Sequence, residues 1–222
     1  MKTLAWIFCL AGIFSTGAFF LISNSEAASE IQPSDKKQPA TIRYEIDAAR
    51  SSFMVKASRG GIAFFKGHDH HIAVRDFGGV AELTLDAINP ASLSLTIKAA
   101  SLEETSDAFT LQQKNIINKE LEEIVLETAK YPEITFKSTD VKGFLKDGRF
   151  ELKIGGDITL HGVTKHIVIP TIVSLENNVL HAKGEFDLDR SKFNVKATSA
   201  FHGTVRVKNR LKFTFDIVGR SK

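Results

Sequence analysis

From Val205 to Ile217 the side chains take turns. Val205, Val207, Leu211, Phe213, Phe215 and Ile217 share one parity, and Arg206, Lys208, Arg210, Lys212 and Asp216 share the other. A period of two with one charged face describes a half-buried antiparallel strand. Shorter runs repeat the pattern: Ile42/Tyr44/Ile46, Phe53/Val55/Ala57, Leu93/Leu95/Ile97/Ala99, Ile134/Phe136 and Phe150/Leu152/Ile154. Turn signals punctuate them at Asn89-Pro90, Lys146-Asp147-Gly148, Gly155-Gly156-Asp157, His161-Gly162 and Asn177-Asn178. The spacing predicts about eight strands.

Ser106 to Lys130 breaks the texture. It has no glycine or proline, and Leu111, Ile117, Leu121, Ile124 and Val125 recur at helical intervals. Ser106 or Asp107 is the predicted cap, and Tyr131-Pro132 the predicted stop. Eight strands with edges to hide, plus one helical excursion, predict an all-β chain closed as an eight-stranded antiparallel barrel.

The start of the chain predicts export. Met1-Lys2, an apolar run from Leu4 to Ile22 and small residues at Ser25 and Ala27 have the order of a signal peptide, cleaved after Ala27. Residues 28–40 read as a flexible lead and 41–222 as the domain. Cys9, the only cysteine, falls in the segment predicted to be removed, which leaves no disulfide and no thiolate chemistry. Basic residues are spread along the chain, without the run of Lys, Arg and aromatics that a nucleic-acid groove needs. Seventeen Phe against one Trp and two Tyr predict an interior with large apolar surfaces and few polar handles.

Four stretches carry a family resemblance. They are Tyr44-Glu45-Ile46-Asp47 with Ser51-Ser52-Phe53-Met54-Val55, then Phe77-Gly78-Gly79-Val80, then Tyr131-Pro132-Glu133-Ile134-Thr135-Phe136-Lys137-Ser138, and Gly156-Asp157-Ile158-Thr159-Leu160-His161-Gly162-Val163-Thr164-Lys165. In this order around one helix, they resemble the YceI-like family of bacterial lipocalin-like, polyisoprenoid-binding proteins. The likeness covers Thr41 to Val218. It implies an eight-stranded lipocalin-like barrel whose lumen holds a polyprenyl chain or quinone, a periplasmic location, and roles in transport or stress response. The helix departs from the family's common Arg-Asp-x-His-like run, reading Gln113-Lys114-Asn115-Ile116-Ile117-Asn118-Lys119. Gly67-His68-Asp69-His70-His71 resembles a His-rich variant found in part of the family.

The expected ligand-binding residues are therefore Phe53, Val55, Leu95, Ile97, Phe136, Phe150, Leu152, Leu211, Phe213 and Phe215 along the inward faces, with His68 and His70 at the mouth. Small residues at inward parity (Ala57, Ala99 and Ser138) leave room inside. On a strand, His68 and His70 would share a face at a spacing that suits two ligands of one metal, with His161 and His202 as distant candidates. The competing readings of the cluster are a head-group role at the barrel mouth, with His68 or His70 donating to a quinone or phosphate oxygen, and a solvated polar loop, which is the preferred one. Gly60-Gly61 and Gly78-Gly79 read as turn or bulge glycines, without phosphate-loop spacing. Glu103-Glu104 and Glu122-Glu123 read as the wet face of the helical region. No nucleophile elbow or acid–base carboxylate pair stands out.

The expectation is a binding protein and not an enzyme, with no catalytic residue, no metal and no cofactor beyond a bound polyprenyl lipid or quinone. Its partner would be an isoprenoid or another long apolar ligand. Transient contact with a membrane or membrane protein and a homo-oligomer stay open, while nucleic acid is not expected. A His-dependent metal- or haem-associated protein of membrane redox chemistry is the alternative.

Overall fold

The computed structural model describes residues 40–62, 64–84, 88, 90–196, 199–200 and 205–221. The predicted signal segment, nearly all of the lead after it, Asn89 and His202 lie outside these residues.

Among the described residues, twelve strands and one α-helix follow one another: β1 (Thr41–Ile46), β2 (Ser52–Gly60), β3 (His70–Val74), β4 (Phe77–Thr84), β5 (Ala91–Lys98), β6 (Leu102–Glu104), α1 (Leu111–Glu120), β7 (Glu133–Lys146), β8 (Arg149–Leu160), β9 (Val163–Glu176), β10 (Val179–Asp189), β11 (Ser199–Ala200) and β12 (Val205–Ser221). The pairing order β1-β4-β5-β7-β8-β9-β10-β12 returns to β1, because Tyr44 to Ile46 pair with Ser221 to Gly219. That is a closed ring of eight antiparallel strands, which leaves no edge around its circumference.

The ring has a second tier on one side. The first half of β12 pairs with β2, β2 with β3, and β3 with β6. Each of these strands runs on into a ring strand: β2 from β1, β3 into β4 and β6 from β5. The three junctions fall at Asp47–Ser51, Arg75–Asp76 and Ala99–Ser101. Cross-strand bonds tie them together, with Arg75 N–H donating to Ser101 O and Lys98 N–H to Asp76 O. Ser51 Oγ–H donates to Asp47 O and accepts from Val218 N–H. The predicted eight strands are these eight long strands, three of them kinked.

Register keeps the greasy parity inside. A bulge between Val207 and Leu211 advances β12 by four residues while β2 advances by two, so Val207 and Leu211 still face the same way. Three two-residue hairpins have positive φ at both central positions: Asp147/Gly148 (50°, 75°), His161/Gly162 (51°, 73°) and Asn177/Asn178 (48°, 63°). This is the turn geometry that suits the right-handed twist of paired strands.

Two predicted breakers are not turns. Gly155-Gly156-Asp157 lies inside β8, opposite the bulge between Ser138 and Asp140 in β7. A Cβ on Gly156 would sit 2.5 Å from both Lys137 O and Phe136 Cζ, so glycine here admits a neighbouring backbone and does not end a strand. Gly78-Gly79 likewise lies inside β4.

The helix starts later than predicted. Thr110, not Ser106 or Asp107, is the N-cap: its Oγ1 accepts from Gln113 N–H, and Gln113 Oε1 accepts from Thr110 N–H. After Glu120 the helix widens into a π-turn, Leu121–Val125, and stops before Glu127, whose φ is 46°. The predicted apolar face therefore splits. Ile117, Leu121 and Val125, four apart, turn to the barrel, while Leu111 and Ile124 are exposed.

Candidate functional site

Inward parity on every ring strand faces a lumen of about 270 Å³. Phenyl rings form much of its wall: Phe186 and Phe213 stack at 4.9 Å, and Phe53 meets Phe215 edge-on at 6.4 Å. Aliphatic side chains of β4, β5, β8 and β9 line the rest, and Ile117, Leu121 and Val125 reach it from the helical segment. Such a space offers dispersion and exclusion of water along its length, with few hydrogen-bonding demands.

Of the expected ligand-binding residues, Phe53, Val55, Leu95, Ile97, Phe136, Leu152, Leu211, Phe213, Phe215 and His70 border the lumen. Phe150 is buried in the core without bordering it, opposite Leu145 and Val173 beside the Asp147-Gly148 hairpin. His68 is exposed in the segment before β3. Of the small residues, Ala57 borders the lumen, Ala99 is packed into a kink, and Ser138 Oγ accepts from Leu93 N–H.

The charged residues at one end were hidden from the sequence. Glu104 is in β6, not on a helix, and its side chain is fully buried. Its Oε2 lies 2.7 Å from His70 Nδ1, and its Oε1 accepts from His71 N–H (3.1 Å) and Ser106 N–H (2.8 Å). Burial pushes its pKa up, but these hydrogen bonds and the His70 ring outweigh burial and hold it below the ordinary carboxylate range. The His70 ring stacks on Phe109 (5.1 Å, 21°), and His68 meets the same ring edge-on at 5.6 Å. The only legible signal was parity: Glu104 shares it with Leu102, so a strand there puts a carboxylate inward.

Arg190 and Lys196 also border this end. Arg190 donates to three carbonyls, Val195 O, Val207 O and Lys208 O, and so ties the end of β10 to the bulge of β12. Burial lowers its pKa, and Asp189 opposes the shift.

His161 belongs elsewhere. It sits in the β8–β9 hairpin against Tyr131, with ring centroids 4.3 Å apart. Glu127 Oε2 is 2.8 Å from its Nε2, but the approach is off-line and neither ring nitrogen makes a hydrogen bond. Gly162 is obligatory in this hairpin, since a Cβ there would lie 2.6 Å from Tyr131 Cε1 at a φ of 73°. Two of the motif stretches thus meet as one packed joint. Among the described residues no three His, Cys, Asp or Glu side chains gather where they could hold a metal. Glu104 engages one nitrogen of His70, so geometry lends the metal alternative no support.

A closed antiparallel ring around an apolar lumen, with one helix across an end, defines a lipocalin-like barrel with room for an apolar guest. The chain belongs to the YceI-like family: its residues 44–219 match the YceI-like domain. Protein YceI of Escherichia coli O6:H1 is 40% identical over 97 residues, 43% of this chain and 44% of that protein. The chain thus spans about half the length of the curated relatives it matches. BcnA of Burkholderia cenocepacia superposes with a TM-score of 0.62 at 18% identity, covering 78% of this chain and 98% of that one. A polyisoprenoid-binding domain from Saccharophagus degradans, implicated in plant cell wall breakdown, superposes with a TM-score of 0.59 at 13% identity, covering 82% and 99%. These structural likenesses carry the fold.

Proposed function

We propose that this protein binds a single isoprenoid lipid, a polyprenyl chain or prenylated quinone, in the barrel lumen and acts by holding it, not by chemical conversion. The observation that carries this reading is the lumen itself, about 270 Å³ enclosed almost wholly by aliphatic and phenyl groups. Burying apolar surface contributes roughly 25 cal/mol per Å², so a few hundred Å² contribute several kcal/mol before association costs. A long, flexible, branched hydrocarbon suits a wall that asks for volume and no precise polar match. The polyisoprenoid-binding domain among the structural neighbours supports this ligand class.

The signal-like start suggests that holding takes place in the periplasm, where carriage or storage of a lipid would need a soluble shell around it. Separating a producing cell into periplasm, membranes and cytoplasm tests the location; protein confined to the cytoplasm would remove it. Equilibrium binding of a prenyl alcohol or prenylated quinone to the purified protein tests the ligand. Saturation near one molecule per chain is expected, and no uptake of any isoprenoid would sink the reading.

A further inference from the structure

The lumen wall is mostly apolar, and at one end it carries a polar group built with care. Glu104 is buried beside the wall and accepts from two backbone N–H groups and from His70. Its own N–H donates to Asn118 Oδ1 on α1, which fixes β6 against the helix. His70 is held between this carboxylate and the Phe109 ring, and it borders the lumen. Its side chain is 24% exposed, against 0% for Glu104. A half-buried imidazole hydrogen-bonded to a buried carboxylate at the edge of a hydrophobic cavity has no evident part in closing the barrel, since β3 already pairs with β2 and β6.

The carboxylate fixes the tautomer of the neutral ring. A carboxylate accepts and does not donate, so the Nδ1 facing Glu104 carries the proton. In a neutral imidazole the other nitrogen, Nε2, then has a free lone pair and is an acceptor. No partner for Nε2 occurs among the described residues. Arg190, also at this end, already donates to three carbonyls.

We propose that the Glu104–His70 pair is the head-group site of the lumen, and that it selects a ligand bearing a hydroxyl, the donor of an isoprenoid alcohol or of a reduced, hydroquinone head. This rests on the isoprenoid reading and sharpens it. A ligand whose head only accepts, such as a methyl ether or an oxidised quinone, finds no donor at neutral His70. The fixed tautomer makes the site an acceptor, as an aspartate behind a catalytic histidine sets which nitrogen can take a proton.

The test uses matched probes at about pH 8, where an ordinary imidazole is neutral. Geranylgeraniol is compared with its methyl ether, and a prenylated hydroquinone with its dimethyl ether. The unaltered protein is expected to bind a hydroxyl form roughly three- to tenfold tighter than its ether, as one hydrogen bond implies. His70→Phe keeps a ring of similar shape against Phe109 and should bind both members of a pair equally. That control also removes the argument that the ether is merely bulkier, because a steric preference would survive it. In Glu104→Gln the amide can donate to Nδ1, the proton moves to Nε2, and the preference should likewise vanish.

Preference in the hydroquinone pair alone would name a quinol head; preference in both pairs, a hydroxyl of either source. Equal binding of hydroxyl and ether by the unaltered protein, or a preference that persists in His70→Phe, would overturn the proposal while leaving the isoprenoid reading intact. Binding of no probe by the unaltered protein would overturn both.

Discussion

At the scale of single residues, the barrel spends its unusual conformations and its buried charge in a few places. Glu104 makes stability depend on pH in a definite direction. Its pKa is held below the ordinary 4.5, so its contribution is complete above that value and is lost as pH falls through the lowered one. Glu104→Gln has no carboxyl to protonate, and its melting temperature should fall less steeply than the unaltered protein's below about pH 4.5. Parallel curves from differential scanning calorimetry would show that the pair does not matter to folding. Gly162→Ala combines a φ of 73° with a close approach to Tyr131. It should cost about 1–3 kcal/mol, or about 2–4 °C in melting temperature per kcal/mol for a domain of this size. The sequence shows His161-Gly162 as a turn, but not that Tyr131 packs on it. A contact across about thirty residues leaves no periodic trace. Glu104 is hidden for a related reason: two adjacent glutamates ahead of a helical stretch look like its wet face, and only the three-residue strand β6 turns one of them inward.

At the scale of elements, parity was the dependable guide wherever a strand is long. The inward residues of β2, β5, β8 and β12 were legible because one face of each meets the lumen and the other meets water. Glycines misled, because close approach of a neighbouring backbone and a turn ask for the same residue. Helix boundaries were legible to within a few residues at best. The capping box at Thr110 does not stand out in the sequence because Ser106 and Asp107 offer the same chemistry four and three residues earlier. Thr110→Ala should destabilise by about 1 kcal/mol by chemical denaturation, with the slope against denaturant unchanged. A change in slope would mean that α1 and the barrel unfold separately. Because Ile117, Leu121 and Val125 form part of the lumen wall, fraying of the helix should also weaken ligand retention.

At the scale of the whole molecule, closure by the β1–β12 pairing and a lumen bounded by apolar side chains make one architecture. The class of fold could be read from the count of alternating runs and the motif order. Whether the barrel is filled could not, because volume left between side chains depends on how all the inward residues meet at once. Leu95→Trp adds bulk on the lumen wall. In a filled barrel it would cost about 1–3 kcal/mol through overpacking. Around an open lumen it should leave the melting temperature within a few degrees and reduce isoprenoid uptake at least tenfold in the same binding assay.

The most direct measurement is native mass spectrometry of the protein purified from the cells that make it, with organic extraction of what accompanies it. The expected result is one chain carrying one molecule whose extracted mass is that of a polyprenyl lipid or prenylated quinone. Protein that is bare on isolation and takes up no added isoprenoid would contradict the account.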